Sequence, residues 1–358
     1  MIESQQSVDS ARPSRSAAEE SPYHAWQAGE GLPIYRGSYI EDVHRLDVAP
    51  WSRTGQKGAF INLAEQEHDD AYVLEIEPGG KTDVLHHLFE AGIVVLDGNG
   101  ATSFWQPTTE RQTVEWQPGS LFAPPLNCYY QHFNLSGTQP ARLLVVTNEP
   151  MVINLFRNTQ YVFNSEYVFR DRYQGEQDYF VDHGFQDGST WKTNFVPDLR
   201  TFRLQDYRSK EARGAGNASM SFALSSNLMA AGVSLFPVGM YKKAHRHGLG
   251  AHILILQGQG FSLLWSEGDE RRRVEWREGS LISPKEMEYH QHFNTGPSPA
   301  MYLKFRLGNL DSRHYQGFEP DQIEYELEDT SIYEIYAGEC ARHGAQVALR
   351  RPAYAGAR

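Results

Sequence analysis

The chain has 358 residues, of which 40% are hydrophobic and 12% aromatic, so it is long and apolar enough for two domains with cores of their own. Its formal net charge of −12 argues against a nucleic-acid-binding protein, because neutralising phosphates needs clustered Lys and Arg. Its two cysteines make no disulfide framework, and its apolar runs fall far short of the ~20 residues of a membrane helix. We therefore expect a cytoplasmic protein without membrane contact.

The chain begins with a polar tail, and two β-rich regions make up most of its length. Residues 1–22 lack the apolar core of a signal peptide and are expected to be disordered. Residues 23–155 and 215–310 consist of short β-type runs that Gly, Pro and Asp interrupt every ~8–12 residues. This pattern predicts an all-β protein with a sandwich or barrel in each region.

The remaining two segments join and follow these regions. Residues 156–214 contain too many aromatic side chains for a flexible linker, so we expect a connector that packs against a barrel face. Residues 311–358 are expected to form a C-terminal extension that ends in a disordered tail. A short helix is predicted near residues 330–343, where Ile332 and Tyr336 recur at helical spacing.

The two β-rich regions repeat each other at a fixed offset of 160 residues. Residues 79–134 and 239–294 align without a gap, and 22 of the 56 aligned positions are identical. The identities include glycines, prolines and tryptophans at matched places, such as Trp116 and Trp276. The sequence therefore predicts two copies of one structural unit.

Three histidines in the second copy have the spacing of a metal site. His245 and His247 are two residues apart, so on a strand they share one face, and His290 follows 43 residues after His247. Three neutral imidazoles that converge on one ion leave coordination positions open, which is typical of a reactive site. The alternative is that the three are unrelated surface or core histidines. Their placement among matched glycines favours the metal site.

These residues resemble the two signature motifs of the cupin superfamily. The first motif is matched by Gly239, five residues, His245, one residue and His247, followed by Gly258. The second motif is matched further along the chain by Gly279, Pro284, His290 and Asn294. Two such units in one chain make a bicupin. The resemblance covers residues 55–155 and 215–310 and implies two jelly-roll β-barrels in tandem.

The resemblance also implies a ligand set and a class of chemistry. Cupins usually bind their metal through three histidines and a glutamate, and the place of the glutamate falls here on Ala251. The missing carboxylate disfavours chemistry like that of oxalate decarboxylase. It makes the site similar to those of the three-histidine ferrous dioxygenases that cleave gentisate and salicylate. In those enzymes the metal lies in the N-terminal cupin, so the resemblance is one of motifs.

Several other residues are candidates for supporting roles around this site. His252 becomes a fourth ligand if a bulge at residues 248–250 turns it inward, whereas regular alternation places it on the opposite face. His292 is either a donor beside the site, a proton carrier or a packed residue; its recurrence as His132 favours packing. Further side chains are candidates for the substrate pocket, namely Tyr241, Trp265, Tyr302 and Arg306.

The first copy keeps only part of the ligand pattern. His87 matches His247, but Leu85, Ala91 and Tyr130 occupy the other ligand positions. A metal site needs several convergent ligands, so we interpret His87 as a packed residue. A role in a pocket or an interface is the alternative.

The leading functional hypothesis is a mononuclear non-haem iron dioxygenase that uses O₂ to cleave a small aromatic or enolisable, metal-chelating substrate. It implies one divalent metal per chain, with Fe(II) expected and Zn, Mn or Ni as alternatives. The second hypothesis is a cupin-type metal-dependent lyase, isomerase or hydrolase. The third is a non-catalytic bicupin that binds a small molecule. We expect a small-molecule substrate and O₂ as partners, and a homo-oligomer.

Overall fold

The structure is a computed structural model in which the predicted tandem β-barrels are confirmed. It describes the backbone of residues 7–8 and, in full, residues 21–181, 183–188, 190–204, 214, 216–308 and 321–354. Ser7–Val8 pairs with another strand, while the other residues of the predicted tail before Ser21 lie outside the described part of the chain.

The first half contributes twelve short strands to the described structure. They are β1 (Ser7–Val8), β2 (Ile34–Gly37), β3 (Tyr39–Ile40), β4 (Ala49–Trp51), β5 (Gln56–Leu63), β6 (Asp70–Ile76), β7 (Ala91–Asp97), β8 (Gly100–Trp105), β9 (Gln112–Trp116), β10 (Leu121–Phe122), β11 (Tyr129–Asn134) and β12 (Ala141–Thr147). All but β3 belong to the first barrel, whose two sheets run β1-β2-β5-β6-β12-β7-β10-β15, with β4 beside β5, and β11-β8-β9.

The connector and the second half contribute the remaining described strands. They are β13 (Phe185–Asp187), β14 (Thr190–Lys192), β15 (Phe195–Val196), β16 (Ala218–Ala223), β17 (Met229–Phe236), β18 (Ala244–Arg246), β19 (His252–Gln257), β20 (Gln259–Trp265), β21 (Arg272–Arg277), β22 (Leu281–Ile282), β23 (Tyr289–Asn294), β24 (Ala300–Leu307) and β25 (Asp321–Ile323). The sheets of the second barrel run β13-β14-β16-β17-β24-β19-β22-β3 and β21-β20-β23-β18-β25.

The helices are short and lie outside the barrel walls. They are α1 (Pro22–Gly29), α2 (Glu149–Phe156), α3 (Thr159–Asn164) and α4 (Ser331–Arg342), with 3₁₀ turns at Val43–Arg45 and Tyr325–Leu327. Helix α4 lies where the sequence predicts a helix, and it packs Ile332, Tyr336 and Cys340 against the outer face of the second barrel. No helix in the described ranges is both long and apolar enough to cross a membrane.

The 160-residue repeat reappears as equivalent strand pairs in the two barrels. Gly100 lies opposite Trp116 on β8 and β9, and Gly260 lies opposite Trp276 on β20 and β21. Each glycine is needed at this place because the indole lies directly over it: a Cβ on Gly100 would approach the Trp116 ring to 2.1 Å. The matched glycines and tryptophans of the sequence therefore mark matched packing.

The two barrels share one hydrophobic core. Alternate residues of β7 and β12 in the first barrel pack with alternate residues of β19 and β24 in the second, including Val94, Leu144, Leu254 and Leu303. Contact is close enough that a Cβ on Gly92 would lie 2.6 Å from the Phe305 ring. The opposite faces of β19 and β24 line the interior of the second barrel.

Two short segments, which we call the exchanged arms, cross between the barrels. Strand β3 lies between β2 and β4 of the first barrel but pairs with β22 of the second, and β15 lies between β14 and β16 of the second barrel but pairs with β10 of the first. Equivalent hydrogen bonds hold both arms: Ser280 Oγ donates to the Glu41 carbonyl at 2.8 Å, and Ser120 Oγ donates to the Pro197 carbonyl at 2.6 Å. Each barrel is thus completed by the arm that leads into the other.

The described part of the connector packs on the first barrel. Phe180 stacks on Phe104 with ring centroids 4.2 Å apart, and Tyr173 is fully buried beside it. Other aromatic side chains of the segment, such as Tyr167 and Phe185, are exposed. The connector therefore covers part of the barrel with some of its aromatic residues.

Candidate metal centre

Two adjacent strands bring the three predicted ligands together inside the second barrel. His245 on β18 lies directly opposite His290 on β23, and His247 follows β18 by one residue. One ring nitrogen of each histidine lies within 4.8 Å of one ring nitrogen of both others. Ring centroids are 4.2 Å apart for His245 and His290 and 5.0 Å apart for His247 and His290.

Backbone carbonyls fix which nitrogen of each ring is available. Nδ1 of His245 lies 3.1 Å from the Lys243 carbonyl, and Nδ1 of His290 lies 3.1 Å from the Glu288 carbonyl. Nδ1 of His247 lies 3.3 Å from two carbonyls. A carbonyl only accepts, so these contacts assign the proton to Nδ1 and make Nε2 the candidate ligand atom of each ring. The donor set fits a divalent ion that accepts imidazole.

No carboxylate completes the triad within the described part of the chain. Ala251, at the position where cupins usually carry a glutamate, is buried and packs with Ile253 and Ile282 in the barrel core. A methyl group there supplies no donor atom. Three neutral imidazoles give the site no negative charge of its own, and the coordination positions they leave open suit a chelating ligand.

The chain resembles solved structures, although sequence comparisons find no relative. No protein-family model matches the sequence. No curated protein sequence matches it. A salicylate 1,2-dioxygenase from Pseudaminobacter salicylatoxidans superposes with a TM-score of 0.55 and 11% identity, over 72% of this chain and 75% of that one. Oxalate decarboxylase from Bacillus subtilis, which has Mn(II) centres, superposes with a TM-score of 0.51 and 11% identity over 84% of both chains.

The superposition with the decarboxylase covers most of both chains. The chain has the bicupin fold. At these identities the likeness establishes the architecture, and the chemistry of this bicupin has to be argued from its own residues.

His252 of the bicupin lies apart from the triad. It is fully buried on the face of β19 that packs against the first barrel, where Nδ1 lies 2.9 Å from Ser283 Oγ. Burial lowers the pKa of His252 to about 4, so the ring is neutral at pH 7. Regular alternation along β19, and not a bulge, thus decides its orientation.

His292 belongs to a packed unit that both barrels contain. Trp276 Nε1 donates to Ser262 Oγ at 3.0 Å, and Ser262 Oγ lies 2.7 Å from His292 Nδ1. In the first barrel the same unit is formed with distances of 2.9 and 2.7 Å by Trp116, Thr102 and His132. We call these the Trp–hydroxyl–His units. Their presence in a barrel without the histidine triad agrees with the packing interpretation.

The four pocket candidates divide between the inside and the outside of the second barrel. Tyr302 lies inside, with its ring 5.4 Å from that of His292, and Arg306 shares the inward face of β24 by alternation. For Tyr241 and Trp265 the prediction is wrong. Tyr241 packs under α4 and donates to Glu328, and Trp265 stacks on Tyr289 at 5.3 Å on the outer surface. Odd and even positions of their strands face opposite sides.

Sequence reasoning missed a buried lysine inside the barrel. Lys242 is 3% exposed, and its Nζ donates to Ser234 Oγ at 2.6 Å and to the Tyr302 hydroxyl at 3.0 Å. Its charge also contributes to lowering the pKa of His292 to about 3, after burial. In the sequence it stands beside Lys243 like one of a pair of surface lysines, so no local signal distinguishes it.

The C-terminal extension borders the triad, which the sequence also did not indicate. Strand β25 pairs with β18, so Gln322 lies opposite His245. Arg246, which points away from the triad, binds Asp321 of this strand at 3.0 Å and Glu267 at 3.2 Å. The extension therefore fixes the strand that carries His245 and leads into His247.

In the first barrel of the bicupin a phenol replaces the third imidazole. Tyr130 pairs with Leu85 as His290 pairs with His245. The Tyr130 hydroxyl lies 2.6 Å from His87 Nε2, while His87 Nδ1 lies 2.7 Å from the Phe89 carbonyl. Both nitrogens of His87 are therefore engaged within the protein. Burial lowers the pKa of His87 to about 3.

Proposed function

We propose that this bicupin is a mononuclear metal enzyme in which His245, His247 and His290 hold Fe(II) and which uses O₂ to cleave a small aromatic or enolisable chelating substrate. The observation that supports the proposal is the set of three carbonyl-oriented imidazoles with the methyl group of Ala251 at the place of a fourth ligand. When bound, Fe(II) supplies a redox-active centre at which a chelating substrate and O₂ can meet.

The surrounding residues define which substrates the barrel favours. Lys242 places a buried cation on the Tyr302 hydroxyl inside the same barrel, which favours substrates with a carboxylate or an enolate oxygen. The apolar side chains around Ala251 exclude water and favour an aromatic or otherwise apolar body. Under this proposal the second barrel carries the chemistry and the first barrel carries none of the metal.

A metal-dependent lyase is the second candidate, and one observation favours it. The likeness to Bacillus subtilis oxalate decarboxylase spans up to 88% of this chain, more than the 72% spanned by the salicylate 1,2-dioxygenase. The absence of a glutamate at position 251 weighs against a carboxylate-assisted decarboxylation. The cytoplasmic location and the homo-oligomeric state expected from the sequence stay predictions.

The requirement for O₂ separates the two candidates. Protein purified anaerobically should contain one iron per chain, and oxygen uptake should appear with a subset of phenols and 1,3-diketones in a substrate screen. A ferrous chelator should abolish the uptake, and added Fe(II) should restore it. Full turnover under strict anaerobiosis would exclude the dioxygenase and favour the metal-dependent lyase. Substrate binding without turnover under either atmosphere, by metal-loaded protein, would identify a non-catalytic binding protein.

A further inference from the structure

The mouth of the first barrel contains a cavity that the metal centre does not use. Its volume is about 490 Å³, within the range of small-molecule sites. Six aromatic side chains contribute to its wall: Trp51, Tyr72, Phe89, Tyr129, Tyr130 and Phe163. The cavity therefore combines the size of an organic ligand with a wall made largely of aromatic rings.

One buried carboxyl group lines this cavity without a partner. Glu149 directly follows Asn148 at the start of α2 and is only 2% exposed. Its carboxyl group has no hydrogen bond and no ion pair with any residue in the described ranges, and burial holds its pKa well above the usual range. A buried polar group in this state costs free energy unless a ligand compensates it.

The other charges at the cavity leave Glu149 uncompensated. Arg53, whose charge opposes the rise in the Glu149 pKa, is bound by Glu30, with Nε and Nη2 lying 3.1 and 2.5 Å from one carboxylate oxygen. The Glu30 carboxylate also accepts from Trp51 Nε1 at 2.7 Å, which fixes it beside the guanidinium. Glu166 adds a further carboxylate at the exposed rim. Because Arg53 is paired with Glu30, burial keeps the Glu149 carboxyl protonated in the absence of a ligand, and a bound cation would favour its ionised form.

Two buried hydroxyl groups of the wall, those of Tyr72 and Tyr130, are committed within the protein. Because His87 Nδ1 donates to a carbonyl, its Nε2 accepts from the Tyr130 hydroxyl. The Tyr72 hydroxyl in turn bonds to that of Tyr130. The carboxyl oxygens of Glu149 are then buried acceptors for a ligand that donates hydrogen bonds or carries positive charge.

We propose that this cavity binds a small organic ammonium ion, with Glu149 as its counter-ion and the aromatic rings around its cationic group. Aromatic walls with a carboxylate suit such ions because the ring faces are electron-rich and the cation is weakly hydrated. The site requires no metal, so this proposal stands independently of the chemistry proposed for the second barrel.

Calorimetric titration of the full-length protein with paired ligands tests the proposal. The cations would be methylammonium, tetramethylammonium, choline and benzylamine, and the neutral partners would be 3,3-dimethylbutan-1-ol for choline and benzyl alcohol for benzylamine. At least one cation should bind at least tenfold more tightly than its neutral partner. A metal chelator should leave this binding unchanged.

Two glutamate variants locate the binding. Glu149→Gln keeps the shape of the side chain and should weaken cation binding at least tenfold, whereas Glu166→Gln removes the same charge at the exposed rim and should leave it within twofold. Equal binding of charged and neutral partners, or no binding by any of the four cations, would overturn the proposal. The ligand comparison needs only the wild-type chain, so it decides the matter even if Glu149→Gln does not fold.

Discussion

Two ligand positions differ between the barrels at the level of single residues, and one of them also changes the partner of a retained histidine. The backbone places Tyr130 and His290 equivalently, each paired with the residue two positions before a retained histidine. An imidazole there leaves a lone pair for an ion, whereas the phenol donates to His87 and consumes the lone pair of that ring. Under the proposed function, metal binding would thus depend on the donor types at these positions and not on the scaffold.

We predict that His247→Ala and His290→Ala each abolish metal retention, because a site with three protein ligands keeps little affinity after losing one. The matched change in the first barrel, His87→Ala, should leave metal content unchanged and lower the free energy of unfolding by ~1–3 kcal/mol, since Tyr130 loses its acceptor. Metal per chain and urea unfolding of the three variants measure both effects. Metal loss in His87→Ala alone would place the centre in the other barrel.

A gain of metal binding is predicted for the double variant Leu85→His/Tyr130→His. It places two new imidazoles on a strand pair with the register of His245 and His290, beside His87, whose Nδ1 already bonds a carbonyl. Metal analysis should rise from one to two ions per chain. The single variant Leu85→His, which retains the phenol, is the control and should bind one. An unchanged count in a folded double variant would show that strand register alone does not make the site.

The spacing of ligands was the part of the site that sequence could predict. The motif contains the three histidines His245, His247 and His290 together with glycines and an asparagine that have structural roles. Its spacing was therefore enough to predict that the histidines converge. The location of Lys242 could not be predicted, because its burial depends on Ser234 and Tyr302, which come from other strands. Long-range partners leave no trace in local spacing.

The Trp–hydroxyl–His units are the clearest features at the level of secondary-structure elements. Each joins three neighbouring strands, β9, β8 and β11 in one barrel and β21, β20 and β23 in the other, with one buried hydroxyl. The hydroxyl accepts from an indole and bonds an imidazole, so it satisfies two buried polar groups at once. These units fix how the strand that carries the third ligand packs against its neighbours.

Ser262→Ala should lower the free energy of unfolding by ~1–3 kcal/mol, because both Trp276 Nε1 and His292 Nδ1 lose their partner in a buried place. The natural control is Ser262→Thr, since the first barrel has Thr102 at the equivalent position. That variant should stay within ~0.5 kcal/mol of wild type. Urea unfolding of the two proteins makes the comparison. An equal loss in both would mean that packing volume, and not the hydroxyl, stabilises the unit.

The side of the barrel that a strand residue faces could be predicted only by applying the alternation of side chains along the whole strand. Alternation correctly left His252 on the face opposite the barrel interior, and the same rule applied to β20 would have placed Trp265 outside, since Ser262 and Leu264 face inward. The exchanged arms could not be predicted, because a two-residue strand has no periodicity and the partner strands lie more than 70 residues away in sequence.

The whole molecule carries buried imidazoles whose protonation opposes folding. Burial lowers the pKa to about 3 for His87, His132 and His292, and to about 4 for His252. The unfolded chain protonates these rings below pH ~6.5 while the folded chain does not. Their contribution to stability is therefore complete above pH 6.5 and is lost as the pH falls toward 4. Asp69 affects the pH dependence of stability in the opposite direction, because burial raises its pKa to about 8 and the folded chain therefore holds its proton to higher pH than the unfolded chain does.

Two single variants should change the pH dependence of stability in opposite directions. Between pH 5 and 6 the unfolded chain binds one more proton than the folded chain at His132, so His132→Gln should reduce the slope of unfolding free energy against pH by up to ~1.4 kcal/mol per unit. The folded chain binds the extra proton at Asp69, so Asp69→Asn should increase that slope by a similar amount. Urea unfolding at half-unit pH intervals gives both slopes. Parallel curves for all three proteins would contradict the prediction.

The exchanged arms explain why a barrel without the histidine triad can persist in this chain. A protein cut between the two repeats would release a second barrel whose β22 has lost β3, leaving backbone donors and acceptors exposed along an open sheet edge. Such an edge invites aggregation. The first barrel thus supplies the strand that pairs with the open edge of the second. Mutations inside either barrel are therefore tolerated only if they preserve this strand exchange.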